Sequence, residues 1–373
     1  MKFTCSTKPL KTAVELGIIK SNISQFVSRS RVVKLTATES NLKINIEASR
    51  IATELTLHGS GDEAGPVSVI LDSITFRNLV TTFDADVTTI EFVQGGIILH
   101  SGKSKFKLSQ MSDDADASFG VPTNPATFTQ QYVPTIVDTD SWKYIRDHQL
   151  FALATELRHP IYTRVWVGTD GDVIVGDVDK GIFTHSKKGA LADTCLLLST
   201  IVNLFAALPE GAELIKLPSS YLIHLSTDGY DYLTEFVPEY ESDEGVGEYH
   251  SEVIMYALTP SNDGVLVTTA ELRKFLSQTS LLATLPDSPV SMSITDKSIT
   301  IEENKGKKDI ATETEVDSPW SCTFRSNDLK QVLSRFDASV RIAPKFDEET
   351  GAIVDGVVFS DDTLSVVLAP YSN

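Results

Sequence analysis

The chain has 373 residues, of which 41% are hydrophobic and 22% charged, the balance of an ordinary globular protein with room for two or three domains. Its net charge of −19 at pH 7 argues against a protein that adheres to nucleic acid over its whole surface. The three cysteines lie inside apolar strand patterns, no segment resembles a signal peptide, and no apolar run is long enough to cross a bilayer, so we expect a reducing, cytoplasmic setting without membrane association.

Two patterns of strand, helix and three further strands make up the first third of the chain. The first has a strand at 1–5, a helix with the apolar stripe Leu10, Ala13, Val14 and Ile18, and strands at 32–37, 42–47 and 51–57. The second has a strand at 67–71, a helix with the stripe Phe76, Leu79, Val80 and Phe83, and strands at 88–93, 97–100 and 104–109.

The middle third follows the same order less clearly. Asp140 or Ser141 would cap a helix that runs to about residue 154, and strands fit 162–167, 172–178 and 182–185. A strand at 195–198 leads through Ser199 into a helix with the stripe Ile201, Leu204, Phe205 and Leu208, and strands fit 212–217, 221–226 and 230–237.

The last third contains both patterns again. A strand at 265–267 and a capping-box signature, Thr268 with Glu271, lead into a helix with Leu272, Phe275 and Leu276, and strands fit 290–294, 298–302 and 310–316. Ser326 then caps a helix with the stripe Leu329, Val332, Leu333 and Phe336, and strands fit 339–343, 357–360 and 364–368.

The same order of elements therefore recurs three times at a spacing of about 125 residues, which indicates an internal repeat. Two polar, acidic segments, 112–127 and 239–252, have the composition of linkers between the repeats. We predict an α+β protein of three repeated domains, 1–122, 123–258 and 259–373, each built from two β-α-β-β-β units.

Signatures of catalysis are scarce. The sequence has no phosphate-binding glycine loop, no zinc-ligand spacing and no nucleophile elbow. Asp170, Asp172, Asp177 and Asp179 cluster in sequence and could hold a metal, but Asp170-Gly171-Asp172 is also typical of a hairpin turn. We favour the turn and expect no enzyme, no cofactor and no metal site.

The predicted helices reverse the charge of the chain. Over 7–19, 73–83, 141–154, 199–208, 270–282 and 327–336, nine residues are basic and four acidic. The basic ones are Lys8, Lys11, Arg77, Lys143, Arg146, Arg273, Lys274, Lys330 and Arg335. Lysine and arginine are good helix formers on any solvated face, but glutamate is an equally good one and is nearly missing. If the helices line a ring, its wall could follow a phosphate backbone without reading sequence. The helices have no exposed aromatic row for stacking bases, which favours duplex over single strands.

Three segments resemble the bacterial-type DNA polymerase sliding clamp, the beta subunit, of host or phage origin. The opening Met1-Lys2-Phe3-Thr4 resembles the first strand of that family, and Ser101-Gly102-Lys103-Ser104-Lys105-Phe106-Lys107-Leu108 resembles its Ser-Gly-Arg-Ser-Arg-Phe-x-Leu segment. The tail Val366-Val367-Leu368-Ala369-Pro370-Tyr371 is similar to its Val-Val-x-Pro-x ending, with one extra residue before the proline.

The resemblance implies the DNA clamp fold, with helices lining the inside of a ring and sheets outside. It implies a homodimer that encircles double-stranded DNA as a processivity factor, tethers a DNA polymerase and is placed by a clamp loader. Arg29 or Arg31 and Arg158 would then join the nine helix cations as DNA contacts. An alternative from a different class is a structural ring or tube assembly protein of a virion.

The resemblance also implies two protein-binding sites. A partner-peptide pocket would be lined by Val178, Phe183, Val367, Leu368, Pro370 and Tyr371, although the Asp-Gly-His-Arg-Leu stretch of the family is replaced by Asp177-Val178-Asp179-Lys180-Gly181. At the subunit interface, Lys103, Lys105 and Lys107 would face Glu302, Glu303, Glu313 or Glu315. Alternating lysines also protect an edge strand from aggregation, which leaves that interpretation open.

Overall fold

The computed structural model describes the chain except residues 19–31, 49, 63–64, 112–118, 126–131, 156–157, 190, 241–242, 244–248, 263, 281–287, 296, 304–305, 313, 315–318, 347–352 and 372–373. Arg29, Arg31, Glu313 and Glu315 are therefore outside the described residues.

The described helices are α1 (Thr7–Gly17), α2 (Ser73–Val80), α3 (Thr139–His148), α4 (Ser199–Ala207), α5 (Ser251–Ala257), α6 (Thr269–Ser280) and α7 (Ser326–Leu333). The strands in the first part of the chain are β1 (Lys2–Ser6), β2 (Val32–Ala37), β3 (Asn41–Ala48), β4 (Ile51–His58), β5 (Ser60–Gly61), β6 (Val67–Asp72), β7 (Val87–Val93), β8 (Gly96–Ser101) and β9 (Ser104–Ser109). Those in the middle are β10 (Thr135–Ile136), β11 (Arg164–Val167), β12 (Asp172–Asp177), β13 (Ile182–Lys187), β14 (Cys195–Leu198), β15 (Glu213–Lys216), β16 (Tyr221–Ser226) and β17 (Tyr230–Phe236). The last are β18 (Val265–Thr268), β19 (Pro289–Thr295), β20 (Ser298–Glu303), β21 (Gly306–Ala311), β22 (Trp320–Arg325), β23 (Ser339–Phe346), β24 (Ile353–Ser360) and β25 (Leu364–Leu368).

Six of these helices coincide with predicted ones, and their apolar stripes are buried except at Leu79, which is half-buried. In α2 the Asp72 carboxylate accepts a hydrogen bond from the Thr75 backbone N–H at 2.7 Å, which caps the first turn. The helix ends at Val80, short of the predicted residue 83, because the backbone tightens there: the Phe83 N–H donates to the Val80 carbonyl, and Phe83 is buried beyond the helix end. Helix α3 likewise ends at His148, and a 3₁₀ turn at Leu150–Ala152 takes up part of the predicted length.

Helix α5 is a feature that the sequence patterns did not predict. It begins at the end of the segment predicted to be a linker, 239–252, continues beyond it to Ala257 and is seven residues long. Ile254 within it and Leu258 after it are buried, four positions apart, and this helical spacing was the available signal.

The edge strand β21 is displaced from its predicted position. The alternation of Ile310, Thr312 and Thr314 suggested a strand at 310–316, whereas the observed strand is Gly306–Ala311. The hairpin with β20 fixes this position, because Glu303 pairs directly with Gly306 across the turn. The edge of this sheet therefore carries Lys307 and Lys308.

The chain forms two compact units, each with two sheets. The first unit comprises Met1–Lys143 and Thr200–Pro238. Its five-stranded sheet has the order β5-β1-β7-β8-β9, and its eight-stranded sheet has the order β10-β15-β16-β17-β4-β3-β2-β6. The eight-stranded sheet is continuous because β4, from the first repeat, pairs antiparallel with β17, from the second, with Ile51 opposite Phe236 and Leu57 opposite Tyr230.

The second unit comprises Tyr144–Ser199 and Glu239–Asn373. Its eight-stranded sheet has the order β14-β11-β12-β13-β25-β24-β23-β18, and its four-stranded sheet has the order β21-β20-β19-β22. Here β13, from the second repeat, pairs antiparallel with β25, from the third, with Ile182 opposite Leu368. The domain limits 1–122, 123–258 and 259–373 remain predictions.

The helices cover one face of the sheets and hold the core. In the first unit α1 contacts α2 and β4, with Leu10 and Val14 fully buried, and the rings of Trp142 and Phe205 stack 4.6 Å apart. In the second unit α6 packs against α7, whose Leu329 is buried. Burial alternates along strands such as β4 and β17, the pattern of a sheet with one covered and one polar face.

Glu303 at the end of β20 is a buried hub of the second unit. Its carboxylate accepts hydrogen bonds from the hydroxyl groups of Thr279 on α6 and Ser288 before β19, the latter at 2.9 Å, and Lys330 Nζ of α7 lies 3.7 Å away. Burial alone would raise the pKa of Glu303, but the hydrogen bonds from Thr279 and Ser288, with the charge of Lys330, together lower it below its ordinary value. Glu303 thus joins both helices of the third repeat to the sheet.

The variant Glu303→Gln should destabilise the protein by about 1–3 kcal/mol, because it removes the charge that the buried donors surround. The pKa of Glu303 is lower in the folded protein than in the unfolded chain. The stabilisation is therefore present above the ordinary glutamate pKa and is lost as the pH falls through the pKa of the folded state. Urea unfolding should show the difference between variant and wild type at pH 7 and a smaller one below about pH 4. The exposed neighbour Glu302→Gln is the matched control and should change stability by less than about 0.5 kcal/mol. Equal effects of both variants would contradict the role assigned to Glu303.

Candidate nucleic-acid interface and partner pocket

The helix cations fall into three groups, of which the first is solvated. Lys8, Lys143 and Lys274 are exposed and Lys11 is half-buried. Lys143 Nζ lies 3.1 Å from the Asp140 carboxylate, whereas Lys8, Lys11 and Lys274 have no ion pair with any residue that the structure describes. These three lysines can therefore meet an external anion without breaking an internal contact.

The second group is built into the packing. Arg273 Nε donates to the Leu333 carbonyl at 2.8 Å and so closes the end of α7. Arg335 Nη1 donates to the Asp147 carbonyl at 2.7 Å, and its guanidinium lies 4.7 Å from the centre of the Phe151 ring. Burial lowers the pKa of Arg335. These arginines bind backbone carbonyls at helix ends. A count of helix charges cannot distinguish such arginines from those of a binding surface.

Three further cations have local carboxylate or packing partners. Arg146 donates to both Asp147 oxygens, at 2.7 and 2.9 Å, which raises the pKa of Arg146 and lowers that of Asp147. Lys330 faces the buried Glu303. Arg77 is half-buried, and its Nε is buried without a hydrogen-bond partner in the described part of the chain.

The predicted loop contact Arg158 lies at the surface. It is exposed and stands just before the 3₁₀ turn Pro160–Thr163.

A pocket of about 240 Å³ opens beside the C-terminal strand, in the second unit. It is lined by Val178, Asp179, Lys180, Gly181, Arg325, Asp328, Ala369, Pro370 and Tyr371. The Tyr371 N–H donates to the Thr323 carbonyl at 2.6 Å, which fixes the tail along β22, and the Arg325 guanidinium lies 5.3 Å from the centre of the Tyr371 ring. Three of the six predicted pocket residues, Val178, Pro370 and Tyr371, thus lie together.

The other three predicted pocket residues do not line it: Val367 and Phe183 belong to an apolar cluster of the same unit, and Leu368 is buried in β25. Val367 and Leu368 are only 1% and 2% exposed because both lie inside the paired strand β25. Phe183 packs edge-on against Tyr162, 5.9 Å between ring centres. The cluster consists of Ile161, Ile174, Leu196, Tyr249, Ile254, Leu258, Val358 and Val367, with Tyr162, Trp166, Phe183 and Met255 packed around it. Helix α5 therefore packs in the cluster that contains Val367 and Phe183.

The predicted interface residues lie on two free sheet edges and next to them. Strand β9, with Lys105 and Lys107, ends the five-stranded sheet, and Lys103 lies in the turn before it. Glu302 is exposed but lies on β20, one strand inside the edge. Glu303 is buried within the unit and is not presented at that edge.

The clustered aspartates make the hydrogen bonds of turns. Asp177 Oδ1 accepts from the Asp179 and Lys180 N–H groups, and Asp172 Oδ1 lies 2.7 Å from His185 Nε2. Hydrogen bonds with Asp172 lower the pKa of Asp170. No group of three or more metal-ligating side chains occurs in the described ranges. None of the described helices is long and apolar enough to cross a membrane.

Comparison with solved structures decides the fold. A protein assigned as the DNA polymerase III beta subunit of Eubacterium rectale superimposes over 100% of both chains with a TM-score of 0.75 at 15% identity. The Bacillus subtilis DNA polymerase sliding clamp matches over 100% of this chain and 99% of its own, with a TM-score of 0.73 at 18% identity. The beta subunit of the Streptococcus pyogenes DNA polymerase matches over 100% of both chains, with a TM-score of 0.69 at 16% identity. This chain has the DNA clamp fold.

The clamp fold confirms the α+β class and extends over the whole threefold repeat read from the sequence. Compared by sequence alone, the chain matches no protein-family model and no curated protein. The likeness therefore lies in the order and packing of the elements, which apolar spacing preserves while surface residues change.

The first two groups of cations should respond differently to substitution. Arg335→Gln should lower the thermal unfolding temperature, at a cost of about 1 kcal/mol, because it removes the hydrogen bond to the Asp147 carbonyl and the contact with the Phe151 ring. Lys274→Gln should leave that temperature unchanged, since the exposed lysine has no described partner. An unchanged melting curve for Arg335→Gln would mean that this arginine is a solvated surface cation.

Proposed function

We propose that this chain is a sliding clamp, a non-catalytic processivity factor of DNA replication in the cytoplasm. Two copies join head to tail around double-stranded DNA and tether the DNA polymerase that moves with the ring. The observation that carries the proposal is the full-length clamp fold in which β9 and β21, each the last strand of a repeat unit, both end a sheet. The similar structures are named as clamps or polymerase beta subunits, which favours this function over a ring or tube of a virion.

The repeat itself supports the head-to-tail dimer. Within the chain, the last strand of one β-α-β-β-β unit pairs with the last strand of another, once as β4 with β17 and once as β13 with β25. Two last strands are left without that partner, β21 of the third repeat and β9 of the first. Two copies that join β21 to β9 repeat the same connection and leave neither edge open.

The free helix lysines support binding to duplex DNA. Lys8, Lys11 and Lys274 project from helices without internal partners among the described residues, Lys143 is a further exposed helix cation, and Arg158 is exposed on a loop. Flexible lysines on helices neutralise phosphates without reading bases, as sliding requires. Arg29 and Arg31 remain proposed contacts from the sequence.

The pocket beside the C-terminal strand supports the tethering of partners. Its wall combines Val178, Pro370 and Tyr371 with Lys180 and Arg325, so an apolar side chain and a polar group of one peptide can be held together. We assign this pocket to a short segment of the DNA polymerase and, in turn, of the clamp loader. The aspartates of the hairpin turns have no catalytic part in this proposal.

Ring formation can be tested directly. The purified protein should have twice the mass of one chain in solution, and negative-stain images should show a closed ring with a central opening wide enough for duplex DNA. A monomer at every concentration would contradict encirclement by this chain alone. Stacked tubes would instead favour the assembly protein.

Binding to DNA can be tested with one triple variant, Lys8→Gln, Lys11→Gln and Lys274→Gln. The slope of log affinity for a fluorescent duplex against log salt should become shallower by about 0.9 for each phosphate that the variant no longer neutralises. The matched control replaces three strand lysines, Lys34, Lys43 and Lys187, by Gln, which changes the net charge equally. The same decrease of slope in both variants would indicate only bulk charge and would contradict a helix-borne DNA surface.

A further inference from the structure

The free edge strand β9 has one basic and one apolar face. Lys105 and Lys107 pair across with His100 and Ile98, on the solvent face of the sheet. Phe106 and Leu108 pair with the buried Leu99 and Ile97, on the core face. The Phe106 ring stacks 5.8 Å from that of Phe83 yet remains 36% exposed, so this edge has apolar surface left to cover.

The free edge strand β21 has a matching division of faces. Ile310 is buried on the helix side, where Lys308 Nζ lies 3.1 Å from Glu271 of α6. Lys307 and Asp309 are exposed on the opposite face, and the Asp309 carboxylate accepts a hydrogen bond from the Thr300 hydroxyl at 2.5 Å. Asp309 is the one carboxylate in the sequence of this strand.

The faces restrict how the two edges can meet. Directly opposed residues of antiparallel strands lie on the same face, so a one-residue shift would place Phe106 opposite the exposed Asp309. Two registers keep the faces matched and pair five residues of each strand. In one, Lys107 is opposite Asp309 and Phe106 is opposite Ile310. In the other, Lys107 is opposite Lys307 and Phe106 is opposite Lys308.

Charge and burial select the first register. It places Lys107 opposite Asp309 on the solvent face and Phe106 opposite Ile310 on the core face. The second also gives Asp309 an opposite charge, from Lys105, but it places Lys107 opposite Lys307, which destabilises a strand pair, and Phe106 opposite Lys308.

In the first register Lys307 would lie opposite Ser109 and next to Glu302, its cross-strand neighbour on β20, and Lys105 would lie opposite Ala311. Lys308 would lie opposite Leu108, with its ammonium directed to Glu271.

We propose that a second copy of this chain docks its β21 on β9 in the register that pairs Lys107 with Asp309 and Phe106 with Ile310. Asp309 sets this register and takes the role that the sequence patterns gave to Glu302 and Glu303. The proposal rests on the head-to-tail dimer proposed above and adds the residue pairs that define its junction.

Cysteine cross-linking tests the register. A chain with Lys107→Cys is mixed with a differently tagged chain with Asp309→Cys and oxidised mildly. A disulfide needs Cα atoms about 4.4–6.8 Å apart, which only directly opposed residues provide. The matched control replaces Lys107→Cys by Lys105→Cys, two residues along the same face. The native Cys5 and Cys195 are buried, and Cys322 is half-buried.

The expected result is at least fivefold more covalent two-tag dimer with the Lys107 variant than with the Lys105 variant. Equal yields, a preference for Lys105, or no cross-link in a protein that is a dimer by mass would overturn the register and leave the clamp function standing. A protein that remains a monomer by mass would overturn both.

Charge exchange gives a second readout that does not depend on oxidation. Asp309→Lys should raise the dissociation constant of the dimer at least fivefold, and Lys107→Asp in the same chain should restore it, because each junction then regains opposite charges. Lys105→Asp is the matched control for rescue and should restore less. Rescue by Lys105→Asp alone would place Asp309 opposite Lys105 and overturn the proposed register.

Discussion

The structure depends on the pairing of one last strand with another between neighbouring repeats. A single β-α-β-β-β unit leaves its final strand with unpaired backbone N–H and C=O groups, a state that sheets avoid. The pairs β4–β17 and β13–β25 satisfy those groups twice within the chain and create the two eight-stranded sheets. The proposed dimer would extend the same pairing of last strands to β9 and β21, which each end a sheet within the chain.

The repeats could be read from the sequence because their signal is the spacing of apolar residues that all pack in the same way. The stripe Leu329, Val332, Leu333 is buried as predicted, as is Leu10 with Val14. The bounds of a strand were predicted less accurately where a hairpin turn, and not a stripe of apolar residues, sets its register, as at β21. Helix α5 was not predicted, because its seven residues give too little apolar periodicity to be distinguished from the polar segment before it.

The candidate sites could be predicted only in part, since residue type does not reveal tertiary partners. Lys274 and Arg273 are adjacent and equally basic in sequence, yet one is solvated and the other binds the Leu333 carbonyl. Val367 and Tyr371 lie only four positions apart in the sequence, yet Val367 is buried inside a paired strand and Tyr371 lines a pocket. Contacts between elements distant in sequence make these distinctions, and no local pattern encodes them.

The connector that carries α5 has a consequence for how the chain can vary. Linkers between domains ordinarily accept insertions and deletions, because few contacts cross them. Here Tyr249, Ile254 and Leu258 are embedded in the apolar cluster of the second unit, and the ring of Tyr256 covers the buried ammonium of Lys345 at 3.6 Å. A change of length in 249–258 would therefore disturb the packing of that cluster, so the spacing between the predicted repeats is held by a core and cannot vary as a free linker would.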